Sequence, residues 1–192
     1  MRVIAGAARG VRLTALPGEA VTRPTQDRVK EGMFSAVQFM LEGARVLDLF
    51  AGSGQLGIEA LSRGAARCVF IDENREACVV VRQNLKAAGL FEKASVAGQG
   101  AAQYLSACRE QFDLILLDPP YRRDAVAAVL PAVAAVTAPG GVVLAETEYG
   151  APLPERCGCL VLKKQYKYGK SAFARYEAET PLEDGAGAEA AP

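Results

Sequence analysis

The chain has 192 residues, of which 51% are hydrophobic, and it carries no net charge and no histidine. This length predicts one domain with a sizeable core. No apolar run approaches the roughly 20 residues that cross a bilayer. The lack of histidine excludes the usual general base and most nucleophilic triads. The sequence has five cysteines, an odd number, and shows no charged-then-apolar leader. These two features predict reduced thiols and a cytoplasmic location. No metal site is expected, since there is no histidine and no second close cysteine pair.

Basic residues gather near the two ends of the chain. If these two segments meet in space, they form one face that binds phosphates. The charges alone fit two separate solvated segments equally well. The candidate contacts to a nucleic acid are Arg9, Arg12, Arg23, Arg28 and Lys167.

Residues 2–6 and 11–13 are predicted to pair as a small hairpin around a turn at 7–10. A helix is then expected over 26–41, with Thr25 as its N-cap and Asp27 in its first turn. We expect this helix to pack beside the first strand of the central sheet, close to the glycine turn described next. The predicted division is therefore an N-terminal hairpin and basic segment (1–24), a main domain (25–180) and a disordered low-complexity tail (181–192).

Residues 46–57, VLDLFAGSGQLG, predict a buried strand, a glycine turn and a helix. Glycines at 52 and 54 let a ligand approach bare backbone and the free N–H groups of the helix. The spacing Gly52-x-Gly54-x-x-Gly57 also matches a dinucleotide fingerprint. Asp48 favours a cationic cofactor instead, because a carboxylate repels a pyrophosphate but attracts the ammonium and sulfonium of S-adenosylmethionine (SAM). The alternative is that Asp48 only accepts hydrogen bonds from the loop's own N–H groups.

Two later loops complete the predicted cofactor site. Residues 67–72 form the second strand, and Asp72 ends it at the spacing where a carboxylate binds ribose hydroxyls, a role that Glu73 could share. Asn74 is expected to cap a helix that runs to residue 88. After a weak third strand at 93–97, Gln99 and Gly100 lie where an adenine edge is bound, although two glycines at 98 and 100 could simply turn the chain.

The fourth strand, 112–117, runs directly into Asp118-Pro119-Pro120-Tyr121. The carboxyl ends of parallel strands share one crevice, so this loop and the glycine turn should face the same ligand space. Two prolines remove N–H donors and stiffen the loop. The Asp118 carboxylate and Pro119 carbonyl then offer acceptors, and Tyr121 offers a flat face, as the exocyclic amine of a nucleobase requires. A rigid turn alone would explain the prolines but not their neighbours.

The remaining elements are a helix over 124–137, a fifth strand at 142–146 and a hairpin of strands 159–168 and 172–178. Pro131 is expected to break or kink the helix near Leu130.

These motifs together resemble a known family. DLFAGSGQLGIEALSRGA, FIDEN and LLDPPY resemble class I SAM-dependent amino-methyltransferases. RVIAGAARGVRL, TRPTQDRVKEGMF and QYKYGKSAFARYE resemble, more narrowly, the RsmD-type 16S rRNA guanine-N2-methyltransferases, and the resemblance covers residues 2–178.

The resemblance implies an α/β, Rossmann-like fold: a seven-stranded, mostly parallel sheet with helices on both faces and a C-terminal antiparallel hairpin. It implies SAM as cofactor and methyl transfer to a guanine of 16S rRNA, within an assembling 30S subunit, with no membrane partner. The residues implied in SAM binding are Asp48, Phe50, Ala51, Gly52, Gly54, Asp72, Glu73, Gln99 and Gly100, and those at the base are Asp118, Pro119, Pro120 and Tyr121. Such families often carry Asp or Asn where Gly100 stands here.

Three other functions remain open from the sequence. A DNA adenine-N6 methyltransferase shares the DPPY motif, but little of this chain is left for an insert that recognises DNA. A non-catalytic RNA-binding assembly factor would keep the fold without needing an intact glycine turn and DPPY. In a nicotinamide enzyme, DPPY has no role.

Overall fold

The computed structural model describes residues 1–16, 24–119, 125–169 and 171–180, with the side chains of the first helix described from residue 27. These residues form one sheet with helices on both faces. The strands are β1 (Arg45–Leu49), β2 (Arg67–Asp72), β3 (Ala94–Gly98), β4 (Phe112–Leu117), β5 (Thr137–Glu148), β6 (Arg156–Cys157), β7 (Leu160–Tyr168) and β8 (Ser171–Ala178). The helices are α1 (Pro24–Ser35), α2 (Gln55–Ser62), α3 (Arg75–Ala87), α4 (Ala101–Ala107) and α5 (Ala125–Val136), with 3₁₀ turns at Gln38–Met40 and Phe91–Lys93.

The strand order is β3-β2-β1-β4-β5-β8-β7-β6. The first five strands are parallel, whereas β8, β7 and β6 follow with antiparallel pairing. The predicted fold class and the C-terminal hairpin are confirmed, but the sheet has eight strands instead of seven. The extra strand is Arg156–Cys157, which pairs with β7. Two residues are too few to leave a periodic signal in the sequence.

The chain order reverses where β1 lies between β2 and β4, and this reversal fixes where a ligand can enter. At such a switch point the loops after the strands diverge and leave a crevice at the carboxyl edge of the sheet. The loops after β1, β2 and β4 therefore border one space. We call this side of the sheet the carboxyl edge.

Helix α2 lies very close to β2, because Gly57 has no side chain. A Cβ at residue 57 would be 2.3 Å from the Phe70 ring and 2.7 Å from the Cys68 sulfur. This is the role that the third glycine of such motifs has in packing a helix on its sheet. The spacing of helix and sheet in turn sets the position of the glycine turn.

Several predicted boundaries are confirmed. β2 and β4 have the predicted bounds, and Asn74 caps α3 by accepting a hydrogen bond from the Glu76 N–H at 2.8 Å. The first helix was predicted wrongly at both ends, since α1 begins at Pro24, which places Thr25 within the helix and not at its N-cap, and it stops at Ser35 before a 3₁₀ turn. It packs on β7 and β8, and its buried side chains share one core cluster with Val46 of β1. Gly32 permits the contact with β7, because a Cβ there would be 2.0 Å from the Tyr168 hydroxyl oxygen.

Of the break or kink predicted near Leu130, the break is wrong, because α5 continues through Pro131 from Ala125 to Val136, and the kink stays a prediction. Proline inside a helix costs about 3 kcal/mol. Pro131 is exposed, whereas Leu130 and Val133 are fully buried against the sheet. Burying each of these two side chains contributes about 1.5–3 kcal/mol, which offsets the cost of the proline. None of the described helices combines the length and apolar character needed to cross a membrane.

The N-terminal segment forms a minimal hairpin with one bridge, between Arg2 and Arg12. A buried charge cluster binds this hairpin to the domain. The fully buried carboxylate of Glu59 on α2 accepts hydrogen bonds from the N–H groups of Ile4 and Ala5 at 2.8 and 3.0 Å. It also lies 3.7 Å from the Lys30 ammonium, which donates to the Arg2 carbonyl at 2.8 Å. The cluster therefore joins the N-terminal segment to both α1 and α2.

Candidate active site at the carboxyl edge

A cavity of about 360 Å³ lies at the carboxyl edge of the sheet. This is within the volume range of small-molecule sites. Its described lining residues are Leu16, Asp48, Phe50, Ala51, Gly52, Ser53, Gln55, Leu56, Ile71, Asp72, Glu73, Asn74, Ala77, Ala101 and Asp118. The lining thus combines apolar side chains with four carboxylates, and none of these described residues is basic.

The turn between β1 and α2 has a left-handed backbone at three positions. Phe50, Gly52 and Gly54 have φ values of 71°, 54° and 78°. Phe50 is the only described residue other than glycine with a positive φ, a strained conformation that clusters at functional sites. Gly52 lines the cavity, whereas a Cβ on Gly54 would point at Val81 and Ile58 in the core. Gly54 therefore contributes to the conformation of the turn on its core side and not to the surface of the cavity.

Asp48 lies beneath the turn and is 1% exposed. Its Oδ2 accepts a hydrogen bond from the Gly57 N–H of α2 at 2.8 Å. Burial raises the pKa of Asp48 to about 8, and the charges of Asp118 and Asp72 raise it further, while the Gly57 bond lowers it. A single hydrogen bond leaves most of the carboxylate's acceptor capacity unused. A bound cation would supply the missing compensation.

Asp72 ends β2 and holds the glycine turn from the opposite side. Its Oδ2 accepts from the Gly52 N–H and its Oδ1 from the Asn74 N–H, both at 2.8 Å. Each oxygen keeps a second lone pair, so the carboxylate can still accept from two hydroxyl groups. The exposed Glu73 lines the same cavity and adds a further acceptor. Asp72 can therefore hold the glycine turn and bind ligand hydroxyl groups at the same time.

The predicted adenine contacts lie at the margin of the cavity. Gln99 and Gly100 are partly exposed and do not line it, whereas the next residue, Ala101, does. A Cβ on Gly100 would be 3.8 Å from Glu73 Oε2, so a side chain at position 100 would reach the predicted ribose contact. Here the surface consists of backbone and the methyl group of Ala101.

Asp118 lines the cavity at the end of β4, and Pro119 beside it is buried. The crevice thus brings the start of the DPPY loop to the glycine turn. Pro120 and Tyr121 lie outside the described residues.

Sequence reasoning missed one carboxylate next to this loop. Glu146 is near the end of β5 and is partly buried. Burial and the charge of Asp118 raise the pKa of Glu146 to about 8. A signal was present in the sequence, since an acid directly follows the apolar run VVLA of a predicted buried strand.

The predicted RNA contacts do not line the cavity in the described part of the chain. Arg9, Arg12 and Arg28 are exposed, and Arg23 lies outside the described residues. Lys167 lies on β7, where its ammonium is 3.9 Å from the centre of the Tyr149 ring. Tyr149 directly follows β5 and is 56% exposed, so this pair lies at the carboxyl edge.

Comparison with known proteins agrees with this architecture. Residues 1–177 match the family described as "Conserved hypothetical protein 95". The chain is 40% identical over 182 residues to "Putative rRNA methyltransferase YlbH" of Bacillus subtilis, which covers 92% of this chain and 98% of that protein. It is 34% identical over 158 residues to "Ribosomal RNA small subunit methyltransferase D" of Haemophilus influenzae, which covers 80% of this chain and 81% of that protein.

A solved structure gives the same result. "Putative methyltransferase yhhF from Escherichia coli" superposes with a TM-score of 0.84 at 28% identity, over 93% of this chain and 98% of that chain. The chain therefore belongs to the Conserved hypothetical protein 95 family, the RsmD family, with the proteins named ribosomal RNA small subunit methyltransferase D among its relatives.

Proposed function

We propose that this protein is a SAM-dependent methyltransferase that transfers a methyl group to the exocyclic N2 of a guanine in 16S rRNA. The observation that carries the proposal is that Asp118 of the DPPY loop lines the same cavity as Asp48 and Asp72. One crevice thus combines a pocket for a cationic donor with acceptors for an amine. The names of the relatives support ribosomal RNA of the small subunit as the substrate.

The residues of the cavity fit SAM. Asp48 is a buried carboxylate with unused acceptor capacity, and it faces a pocket without a described basic residue. It would hold the cationic methionine part together with the backbone of Gly52. Asp72 and Glu73 would accept from the ribose hydroxyls, and Phe50, Ile71 and Ala101 would border the adenine. When bound, SAM supplies an electrophilic methyl group on a sulfonium.

The protein's contribution to the reaction is to hold the base. Guanine N2 is a poor nucleophile, because its lone pair is delocalised into the ring. The Asp118 carboxylate and the Pro119 carbonyl would accept hydrogen bonds from the two N2–H groups and favour a pyramidal nitrogen. The methylated amine is strongly acidic, so its proton needs no strong base, which agrees with a chain that has no histidine. Most of the rate then comes from positioning in a preformed site.

The RNA must present its guanine unpaired or flipped out, because pairing hides N2. The exposed Arg9, Arg12 and Arg28, together with Arg23 and Lys167, would contact phosphates around the site. An assembling 30S subunit in the cytoplasm is the substrate that we propose.

The test offers radiolabelled SAM with 30S particles, naked 16S rRNA and DNA side by side, and identifies the product nucleoside by mass spectrometry. We expect N2-methylguanosine in small-subunit RNA. Label in N6-methyladenine of DNA would instead identify an adenine methyltransferase. Binding of RNA without uptake of label by any substrate would identify a non-catalytic assembly factor.

A further inference from the structure

Glu146 lies beside Asp118 at the carboxyl edge. In the β4–β5 register Leu117 is opposite Ala145, so the next positions, Asp118 and Glu146, are neighbours. Alternation along β5 places Glu146 on the same face as Val142 and Leu144, which belong to the core beneath α1 and α2. The same alternation along β4 places Asp118 on that face too. The two carboxylates are therefore adjacent on one face.

No hydrogen-bond donor or cation contacts the Glu146 carboxylate within the described ranges, although the side chain is partly buried. Directly opposite it on β8 is Phe173, which stacks on Tyr166 at 4.3 Å between ring centres. The titratable side chains on this face of the neighbouring strands are Asp118 of β4, Arg175 and Glu177 of β8, and Lys164, Tyr166 and Tyr168 of β7. Arg175 is paired with Glu177 at 2.6 Å, and buried Lys30 of α1 is paired with Glu59. A half-buried acid without compensation is typical of a binding site.

The position of Glu146 assigns it to the acceptor side of the crevice. Asp118 borders the donor cavity, whereas Glu146, one strand further from β1, does not line it. A base held by Asp118 must therefore approach over β4 and β5. Guanine presents two adjacent donors on its pairing edge, N1–H and the N2 amine. Two adjacent carboxylates match that edge.

We propose that Glu146 selects guanine by accepting a hydrogen bond from its N1–H while Asp118 accepts from the N2 amine. The inference rests on the proposed function and names the residue that would read the base. Adenine has an acceptor at N1, so an ionised Glu146 would repel it. Recognition of a donor by a carboxylate discriminates strongly, because the mismatched base leaves a buried charge unpaired.

The experiment uses RNA in which the methylated guanine, mapped first, is replaced by 2-aminopurine. This base keeps the amine at position 2, but its N1 is an acceptor without hydrogen. Guanine binds the ionised form of Glu146, and 2-aminopurine binds the protonated form, which donates to N1. At saturating SAM, kcat/KM for guanine RNA divided by kcat/KM for 2-aminopurine RNA should rise about a hundredfold from pH 6.5 to 8.5, because the ratio of ionised to protonated Glu146 rises about tenfold per pH unit.

Two variants assign this change to one side chain. In Glu146→Gln the amide can both donate and accept and does not titrate, so the ratio should be independent of pH. Glu148→Gln removes the same charge from the exposed end of β5 and should keep the wild-type pH dependence. SAM affinity and melting temperature, measured on all three proteins, separate recognition from a structural role. Glu146→Gln should leave SAM affinity unchanged and should not lower the melting temperature, because the raised pKa of Glu146 costs the wild type stability as pH rises.

A ratio that does not change with pH in the wild type overturns the inference, and this measurement needs no variant. A pH-dependent ratio that persists in Glu146→Gln also overturns it. In both cases formation of N2-methylguanosine by the wild type leaves the proposed function intact. If the wild type forms no N2-methylguanosine in any substrate, both proposals fail together.

Discussion

Replacing Asp48 by Asn tests whether the buried carboxylate is the group that binds the donor's positive charge. Asp48 is 1% exposed, and its pKa is raised to about 8 in the protein without ligand. At pH 7 it is therefore mostly protonated. Only the ionised form attracts a cation, so SAM binding must remove this proton. The substitution keeps the shape and the hydrogen bond from the Gly57 N–H but cannot ionise.

The magnitude follows from the pKa. Below about pH 8, SAM affinity of the wild type should rise about tenfold per pH unit. Stability without ligand depends on pH in the opposite direction to SAM affinity. The raised pKa of Asp48 favours the folded protein at low pH, and this contribution to the free energy of unfolding is lost as pH rises from 3.8 to about 8. Relative to the wild type, Asp48→Asn without ligand should therefore gain about 1.4 kcal/mol of unfolding free energy per pH unit between pH 5 and 8.

Titration calorimetry at pH 6.0–7.5, in buffers of different ionisation enthalpy, measures both affinity and protons released. The α-amine of SAM stays largely protonated in this range. We expect nearly one proton released per SAM bound by the wild type, and none together with weaker, pH-independent binding by Asp48→Asn. Urea unfolding of both proteins without ligand gives the stability difference. A wild-type affinity that does not vary with pH, without proton release, would refute the reasoning.

Three further predictions concern the acceptor side, the RNA surface and the N-terminal hairpin. Asp118→Ala should retain SAM binding in calorimetry and lose methyl transfer; retained turnover would remove this residue from the mechanism. Changing Arg9, Arg12 and Lys167 to Glu should weaken RNA binding and reduce the slope of log K against log salt by about 2, with SAM affinity as the control; an unchanged slope would make them ordinary surface charges. Glu59→Gln should lower the free energy of unfolding in urea by about 3 kcal/mol, because it leaves a buried ammonium unpaired; a loss below 0.5 kcal/mol would mean that the charge cluster is not stabilising.

The parts of the fold that were predicted correctly depend on local signals. β4 is a continuous apolar run that ends at Asp118, and its bounds followed from that run alone. The cap of α3 followed from Asn74, a residue type that is favoured at helix N-caps. The relation between the glycine turn and the DPPY loop followed from the rule that parallel strands bring their carboxyl ends to one edge.

The parts that were missed depend on tertiary contacts. A break at Pro131 is expected from the sequence, but the burial of neighbouring side chains that keeps the helix continuous is a property of the whole sheet. The packing of α1 on β7 depends on Gly32 and Tyr168, which are far apart in the chain. The role of Glu59 has no local signal in the sequence, because its partners come from two distant segments. Glu146 was missed because its proximity to the DPPY loop requires the β4–β5 register.

The charge of the crevice connects the two substrates. Four carboxylates line the cavity and Glu146 lies beside it, and none of the described lining residues is basic, so the protein without SAM opposes the approach of a polyanion such as RNA. The sulfonium of SAM would neutralise Asp48 where that carboxylate is already ionised without ligand, above about pH 8, whereas at lower pH the proton released from Asp48 cancels the added charge. Above about pH 8, donor and RNA should therefore bind cooperatively, each raising the affinity of the other by the same factor. S-adenosylhomocysteine, which lacks the sulfonium charge, should raise RNA affinity less than SAM does in filter-binding assays with the inactive Asp118→Ala protein. Equal effects of the two ligands would mean that shape, and not charge, couples the two substrates.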